Sequence, residues 1–141
     1  MRCLLDTNII SNATKTVPSE ALLEWMADQQ DGDLFIASLS LGEIQRGILE
    51  KPAGKKRREL EAWFAGAEGP PALFRGRVLA FDERAALVWA RLMSEGTATG
   101  KPRSALDMVV AATAEANDCM VVSDNERHFP GIRILNPLRA N

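Results

Sequence analysis

A parallel α/β fold, with helices on both faces of the sheet, is what this sequence predicts, and three observations predict it. Short runs rich in Val, Ile and Leu recur along the chain and are apolar throughout, as strands buried on both faces require. Stretches of helical periodicity, long enough for crossovers, separate them. Acidic residues stand where the runs end or the helices begin, and in a parallel sheet those places gather on one edge, where ligands bind.

The elements follow in order. Residues 2–5 read as a first buried strand, bounded by Asp6-Thr-Asn8. A short helix is expected over 9–13. The next helix runs to about 28, with Ser19 as N-cap and Leu22, Leu23 and Met26 as its apolar stripe. Asp31-Gly-Asp33 is a turn and 34–37 a second strand. Ser40-Leu-Gly-Glu43 matches a capping box, which predicts a helix from 41 to about 50, ended by Pro52. A helix over 55–67 turns Leu60, Trp63 and Phe64 inward, and Gly69-Pro-Pro71 marks a loop. Residues 77–81 read as a third strand, and Asp82 caps a long helix carrying Ala85, Val88, Trp89 and Leu92. A loop over 96–103 precedes a helix over 104–117, then strands over 120–123 and 132–135. With no repeat and no low-complexity tract, 1–141 reads as a single domain.

The composition narrows the function classes. Nearly half the 141 residues are apolar and about a quarter charged, which describes a globular chain. No apolar run approaches the ~20 residues that span a bilayer, and the start meets a charge too early for a signal peptide, so the expected compartment is the cytoplasm, with no membrane partner. The two cysteines, Cys3 and Cys119, read as reduced core residues on neighbouring strands, and with one histidine they cannot make a standard zinc site. A net charge of −2 excludes a generic nucleic-acid binder. Basic residues cluster at Lys51 with Lys55 to Arg58, at Arg75 and Arg77, and at Lys101 and Arg103. These clusters are compatible with flanks that hold phosphates, and Lys55 to Arg58 reads equally well as the solvated face of a helix.

Asp6, Glu43, Asp107 and Asp124 carry the chemistry. Taken singly, each also reads as a helix cap or a turn residue. Together, carboxylates on one sheet edge without matching Lys or Arg repel one another, and the usual remedy is a hard divalent cation such as Mg²⁺ or Mn²⁺. Sharper motifs fail. Gly96-Thr-Ala-Thr-Gly100-Lys101-Pro102 is one residue too short between its glycines for a phosphate-binding loop and lacks the following Ser/Thr. GxSxG is absent.

Longer stretches carry a family resemblance. They are Leu4-Leu-Asp6-Thr-Asn8-Ile-Ile-Ser11, Ala37-Ser-Leu-Ser-Leu-Gly-Glu43-Ile-Gln-Arg46-Gly-Ile48, Asp107-Met-Val-Val-Ala-Ala-Thr113-Ala, Val121-Val-Ser-Asp-Asn125, Phe129-Pro-Gly and Asn136-Pro137. In order and spacing, end to end, the chain resembles PIN-domain ribonucleases of the VapC toxin type. The resemblance implies a three-layer α/β/α fold with a central, mainly parallel sheet of about five strands. It also implies Mg²⁺ or Mn²⁺, endonucleolytic cleavage of RNA with a tRNA as the family-level guess, a homodimer, and a cognate VapB-type antitoxin. By position, Asp6, Glu43 and Asp107 fall on the family's acidic triad, with Thr7 or Asn8 and Thr113 or Ser123 as candidate supporting groups. The family's last site is often Thr-Arg-Asn or Thr-Arg-Asp. Here the string is Ser123-Asp124-Asn125, so either Asp124 or Asn125 fills it, and Asp124 is preferred for its charge. His128 sits where the family commonly has Asp, and is assigned no role.

The mechanism expected is metal-assisted phosphodiester hydrolysis, with Asp6, Asp107 and Asp124 as metal ligands and Glu43 placing water. Two rivals remain. One is a phospho-acceptor receiver domain, which calls for paired acids after the first strand and a Lys after the last core strand; the chain has neither, since Thr-Asn follows Asp6 and no Lys follows Lys101. The other is a catalytically silent PIN fold that only binds RNA. An antitoxin groove is expected between the helices over 19–28 and 41–50.

Overall fold

The structure is a computed structural model that describes residues 1–15 and 17–139; Thr16, Ala140 and Asn141 of the expected single domain lie outside these. Five parallel strands, β1 (Cys3–Leu5), β2 (Leu34–Ala37), β3 (Val78–Leu79), β4 (Met120–Val122) and β5 (Ile134–Leu135), pair in the order β3-β2-β1-β4-β5. The helices are α1 (Thr7–Thr14), α2 (Glu20–Ala27), α3 (Ser38–Leu49), α4 (Lys55–Ala65), the single turn α5 (Pro70–Leu73), α6 (Glu83–Ala98) and α7 (Ala105–Ala116). The predicted three-layer α/β/α arrangement is what forms.

Strand pleating sorts the core into two layers. Cys3, Leu5, Leu34, Ile36 and Val122 point to one face, where Ile9 and Ile10 of α1 and Leu22 of α2 cover them. Leu4, Ala37 and Val121 point to the other, under Met108, Val110 and Ala111 of α7 and Leu92 of α6. The small side chains of α7 let it lie between the sheet and α6. Met108, Ala112, Thr113 and Ala114 are essentially inaccessible to water. Cys3 is buried and Cys119 half-buried; both are free thiols, one in β1 and the other just before β4, as expected.

Three expectations need correction. The helix after β2 does not start at a Ser40 cap. It begins at Ser38, directly from the extended Ala37, with no side-chain cap. Ser40 and Glu43 are therefore interior to α3, and the hydroxyl of Ser40, fully buried, meets Thr7 instead of its own helix end. Tertiary contact has overridden the local capping signal. The loop expected at Pro70-Pro71 winds into α5, because proline is preorganised for a first helical turn. Two members of the basic clusters are held by the fold instead of standing free as phosphate-holding flanks. Arg77 donates to the carbonyls of Asp31, Leu34 and Leu73 and stacks over Phe74. Arg103, its side chain only 8% exposed, donates to the carbonyls of Leu92 and Pro130. Lys55 and Arg57 pair with Glu59 and Glu61 one turn along α4, as solvated helix faces do.

Arg103 also decides the shape of the loop after β4. That loop turns at Gly131, whose φ of +76° suits glycine, and a Cβ there would meet the Arg103 guanidinium at 2.6 Å. Phe129, 2% exposed, pins the same loop into the α6–α7 core.

Candidate metal and nuclease site

The strand order reverses direction at β1: β2 lies on one side of it and β4 on the other. Crevices at such a switch point, outside the carboxyl ends of the strands, are where open α/β sheets bind ligands. Asp6 follows β1 and Ser123 follows β4, so the register Leu5 to Val122 sets them side by side. The Asp6 N–H donates to the Val122 carbonyl at 2.9 Å, and the Ser123 hydroxyl donates to Asp6 Oδ2 at 3.0 Å. Asp6 Oδ1 accepts from the Thr7 N–H at 2.9 Å, so the carboxylate also caps α1.

Glu43 arrives from the second turn of α3. Its Oε1 accepts from the Thr7 hydroxyl at 2.7 Å, and Ser40 Oγ lies 3.0 Å from the same hydroxyl. Asp107 sits in the first turn of α7, whose N-cap Ser104 accepts from the Asp107 N–H at 3.3 Å. No reciprocal bond from the Asp107 carboxylate to the cap is formed, so a capping box does not account for this acid. That carboxylate faces His128 Nδ1 at 3.7 Å.

Asp6 is 7% exposed. Burial pushes its carboxyl above the ordinary Asp range; the bonds from Ser123 and Thr7 oppose this, and the charges of Asp107 and Glu43 push further upward. Among the described residues no Lys or Arg comes within ion-pair distance of Asp6, Glu43 or Asp107. The charges of Asp107 and Glu43 thus add to the cost of ionising Asp6, and among the described residues no basic side chain pairs with it.

The other expected residues divide. Ser123 touches Asp6, and Thr7 links α1 to Glu43. Asn8 is exposed. Thr113 is buried in α7 and its hydroxyl donates to the Val109 carbonyl of its own helix, so it reaches no member of the cluster. Asn125 donates its N–H to Ser123 Oγ, and its side-chain amide lies 3.1 Å from His128 Nε2. Asp124 forms no hydrogen bond or ion pair with the other acids among the described residues, and its Oδ1 is buried without a partner. His128, assigned no role from the sequence, stands against the Asp107 carboxylate and the Asn125 amide. It is the chain's one histidine, and its offset of three residues from Asn125 on a short turn was the available signal.

An oxygen donor set of this kind suits a hard divalent cation. Among the described residues no three Asp, Glu, His or Cys side chains are placed together to hold one.

A groove of about 570 Å³ opens beside Thr7 and Glu43, between α1, α3 and α4, with Lys15 and Lys51 at its rim and Ile44, Leu60 and Trp63 in its wall. A separate one of about 330 Å³ lies between α1, α2 and α5. Neither of these two lies between α2 and α3, where the antitoxin groove was expected; α1 lines both. A cavity of about 510 Å³ at the opposite, amino-terminal edge of the sheet, around Arg2, Arg91 and Glu115, holds none of the acidic cluster.

The PIN domain family model matches residues 3–134. The chain belongs to the PIN domain family. It is 37% identical over 136 residues to the VapC ribonuclease Y4jK of Sinorhizobium fredii, covering 95% of this chain and 96% of that one. It is 30% identical, at the same coverage, to the toxin FitB of Neisseria gonorrhoeae. The crystal structure of FitAcB from Neisseria gonorrhoeae superposes with a TM-score of 0.87 at 28% identity, over 98% of this chain and 99% of that one. The PIN assignment sets the receiver-domain rival aside. No helix among the described residues of this PIN domain is long and apolar enough to cross a membrane.

Proposed function

We propose that this PIN domain is a Mg²⁺- or Mn²⁺-dependent endoribonuclease that acts as the toxin of a toxin–antitoxin pair in the cytoplasm. The observation that carries the reading is Asp6: a buried carboxylate at the switch point, crowded by Asp107 and Glu43 and compensated by no basic side chain. Asp6 and Asp107 would hold the cation through oxygen, with Asp124 or Asn125 completing the set. When bound, the cation lowers the pKa of the attacking water and offsets charge on the phosphate. Glu43, which accepts a hydrogen bond from Thr7, would be the residue to hold the attacking water and take its proton. Ser123 fixes which way the Asp6 carboxylate faces.

Total RNA incubated with the purified protein should be cut at discrete positions with Mg²⁺ or Mn²⁺ and left intact with a chelator. Mapping the new ends tells whether tRNA is the substrate. RNA that is bound but never cut would instead establish the catalytically silent alternative.

The relatives named VapC and FitB, and neighbours solved as FitAB and VapBC complexes, support a VapB-type antitoxin as partner; a homodimer as the toxin's own assembly is proposed on the family resemblance alone. The groove beside Glu43 offers an apolar wall for an antitoxin segment, and an Arg carried on it would form charge-assisted bonds to Asp6, Glu43 and Asp107. Such an Arg competes with the cation for the same oxygens. Raising Mg²⁺ should therefore partly relieve inhibition by the neighbouring gene's product in a cleavage assay. A peptide that inhibits equally well after its site-facing Arg and Lys residues are removed would rest on the groove alone.

A further inference from the structure

We propose that the groove beside Glu43 is the subsite for an unpaired nucleotide next to the scissile phosphate, its base stacked on Trp63 and its backbone held by Lys15 and Lys51. The proposal rests on the ribonuclease reading above and names the form of RNA that the site takes.

The groove has two unlike ends. α1 and α3 both begin at the carboxyl edge of the sheet, and Thr7 and Glu43 line the groove there. Lys15 caps the far end of α1, and Lys51 directly follows the cap of α3. Lys15 lies eight residues beyond Thr7 and Lys51 eight beyond Glu43, about 12 Å along helices that rise roughly 1.5 Å per residue. Both lysines are exposed, and among the described residues neither forms an ion pair, whereas Lys55 and Arg57 on α4 each pair with a glutamate. A helix dipole favours a cation at either position. It does not account for two that open onto one groove, at the end away from the acids.

Between these ends the wall is aromatic and the floor is bare. Trp63 is half-buried and lines the groove, with the Phe64 ring set edge-on against it at 6.4 Å. Gly47 lies inside α3 and lines the same groove. Glycine within a helix is less stable than alanine, and a Cβ at Gly47 would meet nothing within 4 Å, so packing inside the chain does not demand it. The missing side chain leaves the groove open to a flat group. Lysines that track a backbone, beside an aromatic ring that takes a base, are the makeup of a single-strand nucleic-acid channel. A base reaches such a ring only when it is unpaired, so the stacking selects loops and single strands instead of a sequence. An antitoxin segment laid in the same groove then excludes the substrate directly.

The test is binding of a short oligoadenylate to the full-length protein in chelator, where nothing is cut, across a salt series, with cleavage kinetics in Mg²⁺ alongside. Wild type should bind the single strand and prefer it to the same strand annealed to its complement. Trp63→Ala should weaken binding by about tenfold, the scale of one base stacked on an aromatic ring, and Trp63→Phe should restore most of it. Lys15→Ala and Lys51→Ala should each flatten the slope of log affinity against log salt by roughly 0.7, one phosphate contact apiece. Gly47→Leu should weaken binding by filling the groove, with a melting temperature at or above that of wild type. In Mg²⁺ the Trp63→Ala and lysine variants should raise KM more than they lower kcat. Should Trp63→Ala melt early, Trp63→Phe, Gly47→Leu and the lysine variants decide the case. Binding and salt slope unchanged in all of these, with RNA still cut in Mg²⁺, overturns the subsite and leaves the ribonuclease reading standing. Loss of antitoxin binding alone in Trp63→Ala and Gly47→Leu also overturns it, and gives the groove to the protein partner. Wild-type protein that neither binds nor cuts RNA overturns both.

Discussion

Asp6→Asn should reduce RNA cleavage by about a thousandfold, the equivalent of the several kcal/mol of transition-state stabilisation that a bound cation supplies, while the metal-free protein becomes more stable at neutral pH. The two effects have one origin. Asn still accepts the Thr7 N–H, and Asn caps helices as well as Asp does. Its amide N–H can donate to Ser123 Oγ, so neither hydrogen bond to position 6 need be lost. What disappears is a charge that the fold holds at a cost. Burial, with Asp107 and Glu43, raises the Asp6 pKa in the folded state, so the folded protein binds that proton more tightly than the unfolded chain does. The stability contributed by Asp6 is therefore fully present below the ordinary Asp pKa and is lost as pH rises through the raised value. Asn, neutral at every pH, does not lose it. The variant should melt above wild type at pH 7, by about 3 °C if the relief is ~1 kcal/mol, and the two curves should converge on acidification. Mg²⁺ should raise the melting temperature of wild type by binding the folded state, and do so much less in the variant. Unchanged cleavage and an unchanged Mg²⁺ response in Asp6→Asn would reduce Asp6 to a helix cap.

Glu43→Gln should cost about a hundredfold in cleavage, the lower end of what a proton-transferring side chain contributes, and almost nothing in stability. The structure sharpens this comparison. Had Glu43 belonged to a capping box it would have had a local role, but it lies inside α3 and its carboxylate accepts from Thr7 in α1. The amide oxygen of Gln can accept that same bond, so the contact between α1 and α3 survives and the unfolding free energy should move by less than ~1 kcal/mol. A rate that falls while the melting curve stays put assigns the charge of Glu43 to the reaction. A variant of full activity would assign it to packing.

Much of the fold was legible because its signals are local. The apolar runs at 3–5, 34–37 and 120–122 are unbroken since both faces of their sheet are covered, and no other element buries such short segments so fully. Ser19, Asp82 and Ser104 announced their helices because a cap is a contact between near neighbours in sequence. The same locality misled at Ser40, where the capping pattern is complete in sequence and unused in space. It misled again at Arg77 and Arg103, whose partners are carbonyls up to 46 residues away.

The sequence by itself placed four acids, Asp6, Glu43, Asp107 and Asp124, where a parallel sheet gathers its strand ends and helix starts on one edge. Only the tertiary structure decided what each carboxylate touches. Ser123 reaches Asp6 because β1 and β4 are neighbours in register, a pairing across more than a hundred residues of chain. Thr7 reaches Glu43 because α1 packs on α3. His128 stands against Asp107 because Phe129 and Arg103 anchor its loop to α6 and α7. Each of these depends on the packing of elements distant in sequence, and neither periodicity nor spacing carries information about a contact that forms only when the layers close.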